Sequence, residues 1–192
     1  MGCDIHIFAE IKKEGKWLRN EKKIFPDWND KKTDTPFDWR SYGMFGFFAD
    51  VRNYSGTPVL AEPRGLPNDS EYLNALMDKP TSHNYGYFDN GVAETQKQDI
   101  ECDPNYHSLS YLTLKELIDF NYDTTFEDLR YTKTTRTPSG CVFSNGAAIA
   151  EKGKVEIKTI KEFLGEGFFD ELDRLKTLGE PDDVRIIFYF DN

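Results

Sequence analysis

Residues 184–190, Val-Arg-Ile-Ile-Phe-Tyr-Phe, are apolar or aromatic at nearly every position. A strand of that pattern needs cover on both faces, which only the interior of a sheet supplies. The other end of the chain carries a second strand signal. Over Cys3 to Ile11, Ile5, Ile7, Ala9 and Ile11 point one way, while Asp4, His6, Phe8 and Glu10 point the other. Glu14-Gly15 is a turn signal, and Lys16-Trp17-Leu18-Arg19 can return as a partner strand. First and last strands are thus expected at the centre of one sheet, mixed or antiparallel.

Helical signals lie between them. Tyr42, Phe45, Phe48 and Val51 predict a helix over Arg40 to Val51, weakened by Gly43 and Gly46. Asp69 or Ser70 can cap a short helix carrying Tyr72, Leu73, Leu76 and Met77. Thr113 with Glu116 forms a capping box before Leu114, Leu117 and Ile118. Thr159 opens a helical stretch. Phe168, Phe169, Leu172, Leu175 and Leu178 then form an apolar face that ends at Gly179 and Pro181. Short strands are expected over 141–143 and 155–157, a turn over 126–131, and loops over 20–38 and 81–106. With no repeat or linker, the expected fold is α+β: a single globular domain over 1–192, with helices packed on the sheet.

Charge excludes some partners. Lys plus Arg number 24 against 34 Asp plus Glu, a formal charge of −10 over 192 residues. Such a chain repels long nucleic acids, and no apolar run reaches the ~18–20 residues that span a bilayer. Cys3, Cys102 and Cys141 are odd in number and widely spaced, unlike a disulfide framework or zinc ribbon. The charged start, Met1-Gly2-Cys3-Asp4, does not read as a secretory leader. The expected location is the cytoplasm.

Three polar clusters can carry chemistry. Asp4 and His6 leave the same strand face about 7 Å apart, so they can share a metal, or Asp4 can orient His6. His107, Ser108 and Ser110 sit in Asp103-Pro104-Asn105-Tyr106-His107-Ser108-Leu109-Ser110, where they can work on a phosphate or serve as turn and cap residues. Asp50, Arg52 and Asn53, followed by Arg64, offer either an anion grip or a helix-end pair; Arg40 and Tyr42 can join them. His83 and the aromatics of 85–88 read as surface or lid material.

Together these blocks resemble a family of small, mostly uncharacterised bacteriophage and prophage proteins. The matching blocks are Met-Gly-Cys-Asp-Ile-His (1–6), Arg40-x-Tyr42-x-x-Phe45, Ala-Asp-Val-Arg-Asn (49–53), Arg-Gly-Leu-Pro (64–67) and the His-Ser-x-Ser segment from His107. The spacing from Asp103 to His107 is longer than in the family pattern. The resemblance implies that these positions serve one site, in the cytoplasm of a bacterial host.

The expected function is phosphodiester cleavage of a small nucleotide, and the resemblance to phage proteins implies a cyclic nucleotide immune signal as the substrate. His6 and His107 would be base and acid, Asp4 would orient His6, and Arg40, Tyr42, Asp50, Arg52, Asn53, Arg64, Ser108 and Ser110 would bind the ligand. No cofactor is expected in this scheme, and homo-oligomerisation is left open. One alternative is a divalent-metal hydrolase with Asp4, His6, Asp50 and His107 as ligands. Another is a protein that sequesters the nucleotide without cleaving it. A third, ranked last, is an acidic mimic of nucleic acid.

Overall fold

A computed structural model describes residues 2–27, 29, 31–77, 80–82, 93–95, 100–101, 104–131, 134–136, 142–144, 148–149 and 155–191. Cys102, Asp103, Cys141, His83 and the aromatics of 85–88 lie outside the described residues. The chain groups into two compact units. The first comprises 1–40, 63–119 and 168–192; the second comprises 41–62 and 120–167.

The first unit is built on a four-stranded antiparallel sheet. Its strands are β1 (Asp4–Lys13), β2 (Lys16–Arg19), β3 (Tyr106–Thr113) and, at the end of the chain, β6 (Val184–Asp191). Spatial order is β2-β1-β6-β3, so the first and last strands are central, as their patterns required. Glu14 and Gly15 both have positive φ, 51° and 79°. That is the backbone of a tight turn whose twist suits the β1–β2 hairpin.

The register sorts side chains into two faces. Ile5, Ile7, Ala9 and Ile11 of β1 pair with Phe190, Phe188, Ile186 and Val184 of β6, and all eight are buried. Asp4, His6, Phe8 and Glu10 occupy the other face, opposite Asp191, Tyr189, Ile187 and Arg185.

This second face is covered at its middle by α2 (Glu71–Met77), where Phe8, Leu73 and Ile187 form a core cluster with Leu66, Tyr72 and Tyr111. Ser70 caps α2 by accepting from the Leu73 N–H at 3.0 Å. Beside it lies a buried ion pair. Arg185, 3 % exposed, meets Glu10, 0 % exposed, through Nε at 2.9 Å and Nη2 at 2.7 Å. Asp69 takes Nη1 at 2.7 Å, and the guanidinium lies 4.1 Å from the Trp17 ring centroid.

Strand β3 corrects the turn-and-cap reading of His107, Ser108 and Ser110. Its sequence alternates weakly and contains a bulge. Phe188 pairs with Ser110 and Phe190 with His107, so two residues of β3 oppose Tyr189 alone. Ser108, inside the bulge, adopts φ 52°. Pro63–Gly65 runs along the outer edge of β3, with the Gly65 N–H donating to the Leu109 carbonyl at 2.8 Å. At the end of β3, Thr113 and Glu116 form the expected reciprocal cap of α3 (Leu114–Asp119).

The second unit contains α1 (Tyr42–Ala49), the antiparallel pair β4 (Thr125–Asp128) and β5 (Glu156–Thr159), and α4 (Ile160–Leu164). Residues 125–128 thus form a strand where a turn was expected. Ser41 caps α1, which places Arg40 before the helix rather than within it. Gly43 allows close approach at this point: a Cβ there would lie 2.8 Å from Phe163 Cζ. The last helix, α5 (Glu166–Lys176), belongs to the first unit from Phe168 onward and buries Phe168, Glu171, Leu172 and Leu175. Among the described residues, no helix is long and apolar enough to cross a membrane.

Candidate functional site

The open end of the polar sheet face gathers a compact set of groups around His6. Its ring stacks on Tyr189, with centroids 4.8 Å apart and planes 10° apart. Tyr106 meets the imidazole edge-on at 5.7 Å. These contacts follow from register: His6 and Tyr189 are cross-strand partners, and Tyr106 pairs with Asp191 next to them. Two rings therefore restrict the imidazole orientation before any polar contact is made.

The polar contact comes from Asp191. Its Oδ2 lies 3.1 Å from His6 Nε2, and its Oδ1 accepts the Asp4 backbone N–H at 3.1 Å. A carboxylate at Nε2 favours the proton on that nitrogen, leaving Nδ1 with the lone pair of a base. The His6 and Asp191 side chains are 40 % and 36 % exposed, so the pair is held yet reachable. Burial pushes the Tyr189 phenol up to about 12, so it stays protonated at neutral pH and can donate.

Asp4 has a different partner. Arg40 grips its carboxylate with Nε to Oδ1 at 2.7 Å and Nη2 to Oδ2 at 2.5 Å. These paired bonds hold the Asp4 carboxyl below its ordinary value of 3.8. Gly2 packs over the same guanidinium: a Cβ at Gly2 would fall 2.9 Å from Nη1. The expectation that Asp4 orients His6 is corrected: Asp191 does so, and Asp4 anchors Arg40.

A cleft of about 280 Å³ opens beside His6, its walls including Phe8, Arg19, Asp38, Tyr72 and Tyr189. Arg19 is braced by the Tyr72 hydroxyl at 2.6 Å and Asp34 at 3.4 Å, and its guanidinium lies 4.6 Å from the Tyr72 ring centroid. The cleft therefore joins an imidazole, a fixed cation, an acid and aromatic walls. Sequence reading missed Asp191, Tyr189, Arg19 and Asp38. The signal for Asp191 and Tyr189 was available, because both point with His6 once the two central strands are paired.

The other expected residues of the first unit lie elsewhere. His107 pairs with Phe190 and stacks on it at 6.0 Å, on the sheet face opposite His6. Two strand spacings, ~10 Å in all, separate their strands as well. His6 and His107 therefore do not face each other across one pocket, and the expected two-histidine arrangement is corrected. The same geometry breaks up the proposed metal set of Asp4, His6, Asp50 and His107; among the described residues, no three such groups cluster.

His107 Nδ1 lies 3.1 Å from Ser108 Oγ, while its Nε2 is buried without a hydrogen-bond partner. Ser110 Oγ accepts the Arg64 backbone N–H at 3.3 Å, and the Arg64 guanidinium is drawn to Glu116 at 2.8 Å. These contacts tie the 63–65 segment to β3.

Tyr42, Asp50, Arg52 and Asn53 belong to the second unit. Asp50 ends α1 with φ 59°. Asn53 donates to Asp50 Oδ1 at 2.8 Å and to the Thr57 carbonyl at 2.9 Å, while accepting the Thr57 N–H at 2.9 Å. This bonding staples the turn. Arg52 donates to the Tyr54 hydroxyl at 3.2 Å, and Tyr42 packs edge-on against Tyr54 at 6.3 Å.

Comparison of the chain with protein-family models, with curated proteins and with solved structures finds no match.

Proposed function

We propose that this is a phage-type protein whose first unit binds a small nucleotide and cleaves a cyclic nucleotide signal of a host antiviral system, using His6 as its single base. The observation that carries this reading is His6, held by Asp191, on the wall of a nucleotide-sized cleft. His6 Nδ1 would take the proton of a water or a ribose hydroxyl as that oxygen attacks phosphorus. The bond from phosphorus to the leaving oxygen breaks, and solvent protonates that oxygen. Asp191 would stabilise the imidazolium, and Arg19 would offset charge gathering on the phosphoryl oxygens. The bacteriophage assignment rests on the sequence blocks described above.

One observation favours a second reading, sequestration without cleavage: among the described residues, no second imidazole shares the face of His6. Incubation with a panel of cyclic mono- and dinucleotides, followed by heat denaturation and chromatography, separates the two. Linear products support the hydrolase. Quantitative return of intact ligand supports sequestration and refutes catalysis. Neither loss nor binding refutes both.

A further inference from the structure

We infer that the cleft beside His6 selects a guanine base, with Asp38 as the residue that reads it; the inference rests on the nucleotide reading above. Asp38 lines the cleft, is exposed, and makes no hydrogen bond or ion pair with the described residues. Every other charged group among the described residues of this wall has a partner. His6 is engaged by Asp191, and Arg19 by Tyr72 and Asp34. An ionised carboxylate is an acceptor with two oxygens and no proton to give. Its complement is a base edge that presents two adjacent donors.

Among the four common bases, only guanine does so, through N1–H and the N2 amine. Adenine and cytosine each set an acceptor beside their donor, and uracil flanks its single donor with two carbonyls. Facing Asp38, each of those bases would leave a desolvated acceptor against a carboxylate.

Size and walls agree with this assignment. About 280 Å³ sits at the small end of ligand pockets, which suits one nucleotide rather than an extended polymer. Tyr72 and Tyr189 are half-buried walls that offer aromatic surface for a purine. The base would lie towards Asp38 and the phosphate towards His6, so recognition and chemistry occupy different parts of the same cleft.

The test measures equilibrium binding of GMP, IMP, AMP and CMP to the full chain and to Asp38→Asn, with circular dichroism confirming that the variant is folded. IMP differs from GMP only by the missing N2 amine. GMP is expected to bind at least tenfold tighter than IMP and AMP. D38N should bring GMP down to the level of IMP while leaving AMP within twofold. AMP or CMP binding as tightly as GMP would overturn the guanine assignment while leaving the nucleotide reading intact. So would an unchanged GMP preference in D38N. Absence of binding by all four would overturn both.

Discussion

Replacing Glu10 with Gln should destabilise the first unit more than any single surface change, because it removes one charge from a buried pair. Arg185 is 3 % exposed and Glu10 is 0 % exposed. In the variant, Arg185 keeps Asp69 at 2.7 Å and the Trp17 ring at 4.1 Å, but Asp69 is itself 57 % exposed and compensates weakly. Breaking a buried pair by neutralising one partner costs ~3–5 kcal/mol. The retained Asp69 contact places the expected loss near the lower bound, ~3 kcal/mol. At this chain length that is a fall of roughly 6–12 °C in midpoint. The assay is urea titration followed by tryptophan fluorescence, since Trp17 and Trp39 lie in this unit. The double variant Glu10→Leu with Arg185→Met removes both charges and should recover most of the loss. A Glu10→Gln midpoint within about 1 kcal/mol of the parent would refute the reasoning.

Two further perturbations probe the packing. Glu171 is buried and accepts the Phe37 N–H at 3.0 Å, and burial raises its carboxyl above the ordinary glutamate value of 4.5. As pH rises through the window above 4.5, the unfolded chain releases this proton first, so the group's contribution to stability falls. Glu171→Gln keeps an acceptor and should flatten that decline; an identical pH–stability slope in both proteins would contradict the assignment. Gly43→Ala sets a Cβ against the Phe163 ring and should cost about 1–3 kcal/mol in thermal unfolding. An unchanged melting curve would show that the contact between α1 and α4 is looser than described.

The sheet centre was legible because its two strands carry opposite kinds of pattern, alternation over 4–11 and a near-continuous apolar run over 184–190. The cap at Thr113 was legible because a capping box is a local arrangement, and Thr159 was legible as the start of a helical stretch. Strand β3 was not, since His-Ser-Leu-Ser around a left-handed Ser108 breaks the period of two and imitates a turn. The face taken by His107 depends on that bulge, and a one-residue shift in register would have moved it to the side of His6. Asp191 escaped notice because its role comes from pairing with residues 187 positions away in sequence, at Asp4, and 185 away, at His6. Arg40 looked helical because the aromatic spacing after it continues a helical stripe, whereas Ser41 starts the helix one residue later.

The claim that chemistry belongs to one face of the sheet is tested most directly by turnover of whichever cyclic nucleotide the panel shows to be cleaved. Four proteins are compared: the parent, His6→Ala, Asp191→Asn and His107→Gln, each checked for folding by circular dichroism. The single-base account predicts a loss of at least 100-fold for His6→Ala, in the range of general acid–base contributions. It predicts a smaller loss for Asp191→Asn and near-parental turnover for His107→Gln. Equal losses in folded His6→Ala and His107→Gln would contradict it, since the two imidazoles would then have to act on one phosphate from opposite sides of the sheet.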